Sequence, residues 1–251
     1  MKKLYEKSER KFAWILIIIY CVLQSLAKPL NELMGITYSA NAVFYVLQTV
    51  FLFIFIQKNN LWEKYGLCKT SLPAHRFLYY IPLIILASAN LWNGVDVNYS
   101  LSGTVCLVVC MLCAGFIEEV IFRGFLFKAL AKENMKRAII ISSVTFGIGH
   151  MMNLFNGSGI GLVNNLCQIC LAVAVGFLFV TIFYRGGSLL PCIFTHSVLN
   201  ALNAFTNEAG FSVEKQIVHC LIMIAVAVVY TLVLTKTLPK NQSVNTNGKM
   251  D

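Results

Sequence analysis

Apolar runs follow one another along nearly the whole chain, separated by short polar stretches. Hydropathy places helices over Phe12 to Leu30, Ala42 to Ile56, Phe77 to Trp92, Leu101 to Leu130, Arg137 to Met152, Ile160 to Tyr184, Ser188 to Phe205 and Lys215 to Thr235. A membrane crossing takes about 20 residues. The pattern therefore predicts an all-α polytopic membrane protein of about eight transmembrane helices with short loops, and leaves no length for a separate soluble domain. Three regions follow: helices one to three with a cytoplasmic loop (1–100), a helical core (101–205), and a final helix with a cytoplasmic tail (206–251). No tandem repeat is visible, and the tail after Lys236 is polar and Asn-rich. Ser25-Leu26-Ala27 resembles a signal-peptidase site behind a basic start. With so many apolar runs following, the first run reads as an uncleaved membrane helix.

Composition agrees with the pattern. Hydrophobic residues make up 58% of the 251 and charged residues only 12%, where soluble domains average about 45–50% and about a quarter. A net charge of +9 would suggest nucleic acid in a soluble protein, but here the basic residues flank apolar runs and set topology instead. Lys2, Lys3, Lys7, Arg10 and Lys11 precede the first run. Lys58, Lys64, Lys69 and Arg76 lie in the second loop, Lys128, Lys132, Lys136 and Arg137 in the fourth, Arg185 in the sixth, and Lys236, Lys240 and Lys249 in the tail. These segments hold 17 of the 20 basic residues, against Lys28 and Lys215 in the alternate loops. Both termini are thus expected in the cytoplasm of a multi-pass cell-membrane protein, with the loops around Asp96, Asn156 and Glu208 outside. The nine cysteines are odd in number and mostly lie in apolar runs, which argues for packing and against a disulfide framework. Cys167 and Cys170 form a single CxxC inside a helix, poor material for a zinc or redox site.

Charged residues at bilayer depth cost about 2.5–3.5 kcal/mol or more each, so they mark function by default. Helix four carries Glu118, Glu119 and Arg123. Neighbouring helical residues point about 100° apart, so the two carboxylates are expected to have separate tasks. Glu119, four residues before Arg123, suits a same-face ion pair and leaves Glu118 free. Phe146 and His150 on helix five, and His196 and Asn200 on helix seven, add polar groups at four-residue spacings. Counted from the basic ends at about 1.5 Å per residue, Glu118, His150 and His196 fall at similar depth, as around one intramembrane polar cavity. A cluster of charges that only locks helices together is the plainer alternative.

A carboxylate with two imidazoles and an amide suits hydrolysis: the carboxylate takes a proton from water while His and Asn stabilise an oxyanion. The same groups also suit a His₂Glu metal site with an open position for water. No HExxH, no GxSxG and no convincing aspartyl pair is present.

Glu118-Glu119-x-x-x-Arg123, Phe146-x-x-x-His150 and His196-x-x-x-Asn200, in this order on separate helices, resemble the CPBP family of intramembrane proteases. That family includes the type II CAAX prenyl endopeptidases and bacterial self-immunity proteins. The resemblance spans about Leu101 to Phe205 and implies an eight-helix fold and peptide-bond hydrolysis. It implies Glu118 as the water-activating base, His150, His196 and Asn200 as its catalytic partners, and Glu119, Arg123 and Phe146 in support. Substrate identity does not carry over with the resemblance; the expected substrate class is a membrane-associated or lipid-anchored polypeptide. On cofactor the family leaves two mechanisms. Glu118, His150 and His196 are the candidate ligands of zinc or another divalent metal, but a ligand role removes Glu118 as base. The metal-independent route gives each residue one role and is preferred, with no cofactor. Two other functions fit the composition: a proton-coupled transporter, disfavoured by the lack of internal repeats, and a non-catalytic bacteriocin immunity protein.

Elsewhere, Asn164, Asn165 and Gln168 either line the cavity or join helices. The stretch from Lys58 to Arg76 is either an interfacial segment or an ordinary loop. His75 and His219 lie outside the polar layer.

Overall fold

The computed structural model describes residues 1–70, 72–155, 160–207, 209–210 and 212–239. Asn156, Glu208, Lys240 and Lys249, which figured in the topology above, lie outside the described residues. A short helix α1 (Lys2–Lys7) leads into α2 (Glu9–Met34). Ser8 caps α2 by accepting a hydrogen bond from the Lys11 amide, and Gly35 at φ 68° ends it. That pair of signals extends the first helix beyond Phe12 and Leu30 at both ends. Next come α3 (Ser39–Lys58), α4 (Ile81–Ser88), α5 (Leu101–Glu119), a π-helical stretch (Val120–Phe127), α6 (Lys128–Ala131), α7 (Met135–Gly149), α8 (Leu162–Gly186), α9 (Leu190–Leu202) and α10 (Val213–Thr237).

Each of the eight apolar runs coincides with helix, the fourth taking in α5, the π-helical stretch and α6. Among the described residues, five spans are long and apolar enough to cross a membrane: α2, α3, the continuous Leu101–Ala131, α8 and α10. The other three, α4, α7 and α9, are shorter, with 8, 15 and 13 residues. α4 starts four residues later than hydropathy places it, because Leu78, Tyr79 and Tyr80 take left-handed φ values of 50°, 52° and 59°. Such values oppose a right-handed helix. Phe77, buried just before this turn, accepts a hydrogen bond on its carbonyl from the Tyr230 hydroxyl at 2.6 Å.

Side-chain bonds gather the basic segments at one end of the bundle. Glu9 pairs with Lys64 at 2.6 Å and Lys132 at 2.9 Å, and Arg10 pairs with Glu133 at 2.9 Å. Arg76 donates to the Thr237 carbonyl at 2.6 Å and Arg185 to the Leu238 carbonyl at 2.8 Å. Burial works against the charge of Lys64, but its hydrogen bonds to Glu9 and Tyr5 outweigh that and hold its pKa above the ordinary lysine value. At the opposite end, Asn98 donates to the Thr206 carbonyl at 2.9 Å and Asn93 to the Asn207 carbonyl at 2.7 Å. The start of α2 and the end of α10 therefore share the basic end. The Lys58–Arg76 stretch also docks there: Leu61 and Tyr65 are buried, and Gly66 accepts a backbone bond from Leu189 at 2.7 Å. Leu61 and Tyr65 thus pack this loop against the bundle.

α5 and α8 are central, each 56% buried over its apolar window against 17–33% for α2, α3 and α10. Two glycines set the close approaches that build the core. A Cβ on Gly115 would stand 2.5 Å from the Ser197 nitrogen, so α5 meets α9 backbone to backbone. A Cβ on Gly147 would stand 2.3 Å from Val173, locking α7 to α8. Small residues at such crossings are how membrane helices pack, since lipid supplies no hydrophobic drive between them. Gly115→Ala is expected to force α5 and α9 apart and cost about 1–3 kcal/mol, visible as a lowered melting temperature in detergent; an unchanged melting temperature would contradict the contact.

Candidate active site

Gly115 lies one turn before Glu118, and its partner Ser197 adjoins His196, so this close helix contact brings carboxylate and imidazole together. Glu119 and Arg123 form the expected ion pair at 2.9 Å, both fully buried. Both glutamates also share a neighbour. His196 stands between them, with Nδ1 2.8 Å from Glu119 Oε1 and Nε2 3.4 Å from Glu118 Oε2. Residues about 100° apart on a helix reach one side chain because imidazole presents a nitrogen on each of two edges. An ionised carboxylate only accepts, so Nδ1–H donates to Glu119 and fixes the ring, leaving Nε2 toward Glu118.

Glu118 has its own support. Tyr20 on α2 donates its hydroxyl to Glu118 Oε1, and Tyr45 on α3 lies 3.1 Å from the Tyr20 oxygen. Because Tyr20 spends its one proton on the carboxylate, Tyr45 is the donor in the second bond. Glu118 Oε2 is buried with no hydrogen bond to protein and faces His196. Both tyrosines escaped the sequence reading. A tyrosine within an apolar run is unremarkable by hydropathy, and only its register against a helix about 100 residues distant makes it part of the site.

Phe146 ties the remaining groups together. The Arg123 guanidinium lies 4.0 Å from its ring centroid, a cation–π contact that covers charge in an apolar interior. The rings of His150 and His196 meet Phe146 edge to face at centroid distances of 5.4 and 5.7 Å. Arg123 sits within the π-helical stretch, whose Phe122 carbonyl accepts from Ser142 of α7 at 2.8 Å. Wide π turns of this kind are frequent at functional sites.

His150 opens a tight 3₁₀ turn (His150–Leu154) after α7 ends at Gly149, three residues short of the expected helix end at Met152. Asn165 of α8 holds that turn by donating to the His150 carbonyl at 2.8 Å, and Asn153 donates to Gln168 at 3.0 Å. Asn165 and Gln168 thus join helices. Asn200 lies one turn after His196 and is partly exposed; its side chain makes no hydrogen bond among the described residues. His219 contacts the Ala89 carbonyl at 3.2 Å, near the opposite end of the bundle.

Catalytic zinc takes three protein ligands and a water. Among the described residues no three His, Cys, Asp or Glu side chains form a metal-holding group. Glu118 and His196 approach each other directly, while the ring contact given for His150 is with Phe146. The His196 Nδ1 is committed to Glu119. As they stand, these donors do not fit the Glu118, His150 and His196 ligand set.

Residues 100–202 match the family model described as Type II CAAX prenyl endopeptidase Rce1-like. Neither the curated proteins nor the solved structures contain a match to the chain. Tyr20 and Tyr45 lie outside the matched residues.

Proposed function

We propose, for a multi-pass membrane protein whose residues 100–202 belong to the CPBP family of CAAX-type intramembrane proteases, that it hydrolyses a peptide bond in a membrane-associated or lipid-anchored polypeptide by glutamate-activated water. The observation that carries this reading is the asymmetry of Glu118: Oε1 is held by Tyr20, while Oε2 faces His196 with no hydrogen bond to protein. A water received at Oε2 loses its proton to Glu118 as its oxygen attacks the scissile carbonyl. In this reading His196 carries a proton on each ring nitrogen: Nδ1–H is held by Glu119, Nε2–H donates to the resulting oxyanion, and the Asn200 amide joins it one turn along α9. Glu118 then returns the proton to the leaving amine. His150 contributes from across Phe146. No step passes through a metal. The test is a proteomic comparison of membrane and released peptides from cells making wild type or Glu118→Ala. Peptides specific to wild type support the reading, and identical profiles oppose it.

Metal dependence is tested on purified protein by chelation with metal content measured alongside. Stoichiometric zinc whose removal abolishes cleavage and whose return restores it would make Glu118, His150 and His196 its ligands. We place both termini in the cytoplasm, with the basic end of the bundle; a reporter fused at Asp96 is expected to read as external.

Tyr20→Phe removes one hydrogen bond to a carboxylate, an interaction worth about 1.5–3 kcal/mol. With a peptide identified by the proteomic comparison, kcat is expected to fall about 10-fold or more with KM unchanged. An equal rise in KM would assign Tyr20 to substrate binding instead.

A further inference from the structure

At the basic end of the bundle, a cleft of about 450 Å³ opens between α1 and the last turns of α3, lined by Lys2, Phe51, Ile54, Phe55, Lys58 and Asn59. We propose that this cleft is a binding site for an anionic glycerophospholipid, with the headgroup phosphate between Lys2 and Lys58 and an acyl chain along Phe51 and Ile54. The proposal is independent of the protease reading.

Charge complementarity is the first argument. Both charged side chains lining the cleft are cationic. Lys58 makes no ion pair among the described residues, and Lys2 has only a 3.8 Å contact with Glu6 in which both side chains are more than half exposed. Exposed pairs of that kind hold little energy, so a phosphate displaces Glu6 readily. The cleft at the opposite end, lined by Glu214 beside Lys215, has no such surplus. The negative end of the α3 dipole works against an anion here. Asn59 reduces this by donating its side-chain amide to the Phe55 carbonyl at 2.7 Å.

Amphiphilic layout is the second argument. Phe51 and Ile54 are 39% and 44% exposed on a helix long and apolar enough to span the membrane. Phe51 precedes Lys58 by two turns, about 10 Å along the axis. The apolar wall thus lies at acyl depth while the ammonium groups lie at headgroup depth. The cleft is also held in shape: Tyr5 anchors α1 by packing on Phe12 and Phe55, each at a centroid distance of 5.4 Å, and by bonding the Tyr65 hydroxyl at 2.9 Å.

The experiment uses the full chain, delipidated and reconstituted in phosphatidylcholine nanodiscs with increasing phosphatidylglycerol, with retained lipid counted by native mass spectrometry. Wild type is expected to keep one phosphatidylglycerol per chain. Attraction worth about 1 kcal/mol per lysine predicts roughly fivefold weaker retention in Lys58→Gln and roughly 30-fold in Lys2→Gln/Lys58→Gln. A Lys3→Gln/Lys7→Gln control, which removes equal charge from exposed positions of α1, is expected to retain lipid as wild type does. Equal loss in the control would reduce the effect to diffuse surface charge and overturn the site. So would full retention in the double variant, or displacement of the lipid by millimolar inorganic phosphate. If the double variant unfolds in phosphatidylcholine alone, the single Lys58→Gln comparison decides.

Discussion

Glu118→Gln is expected to reduce cleavage by about 10²–10⁴-fold, the usual contribution of a positioned general base, while the protein remains folded. The amide matches the carboxylate in size and still accepts a hydrogen bond from Tyr20 through its oxygen, so packing against α2 and α9 is kept. What is lost is the group that takes the proton. Accumulation in the membrane and the melting temperature in detergent should stay near wild type while turnover disappears. Turnover at the wild-type rate would remove Glu118 from the role of base. The same variant separates an enzyme from an immunity protein that only binds: protection lost on this substitution alone, with protein level unchanged, requires the chemistry.

Glu119→Gln should fail differently. Arg123 is fully buried and Glu119 is its paired anion. The same oxygen of Glu119 also receives His196 Nδ1–H. Removing the negative charge leaves a guanidinium in the interior with only aromatic faces and an amide against it, and breaking a buried pair from one side costs about 3–5 kcal/mol. A large fall in melting temperature is expected together with lost activity. Glu119→Gln/Arg123→Met, which removes both charges, should recover much of the stability and none of the activity. If the double variant is no more stable than the single one, the pair is not what holds this part of the bundle.

Much of the site was legible because its chemistry conflicts with its surroundings. Glu118, Glu119, Arg123, His150 and His196 stand out in an apolar chain by their solvation cost alone. The spacing of Glu119 and Arg123 on one helix was enough to pair them, since helical geometry makes residues four apart neighbours. The sharing of His196 by both glutamates was not legible. Helical periodicity states where side chains point and is silent on the width of what lies opposite. Tyr20 and Tyr45 were hidden for a related reason: their polarity is partial, and their role depends on α2 and α3 lying against α5. The start of α4 was misplaced because Phe77 to Tyr80 are as apolar as a helix would be, while their left-handed backbone is set by packing around Phe77.

The sequence by itself determined an all-α membrane protein, the grouping of its basic loops, and the identity of the charged residues that a bilayer would otherwise exclude. Those properties follow from transfer free energies and helical periodicity, which are local. Tertiary structure decided which partner each of those residues has. Gly115 lets two backbones approach until His196 lies between Glu118 and Glu119, Phe146 gathers Arg123 and both histidines, and a tyrosine from α2 holds the carboxylate. Partners of this kind depend on the distance and rotation between helices far apart in the chain, and hydropathy carries no term for either.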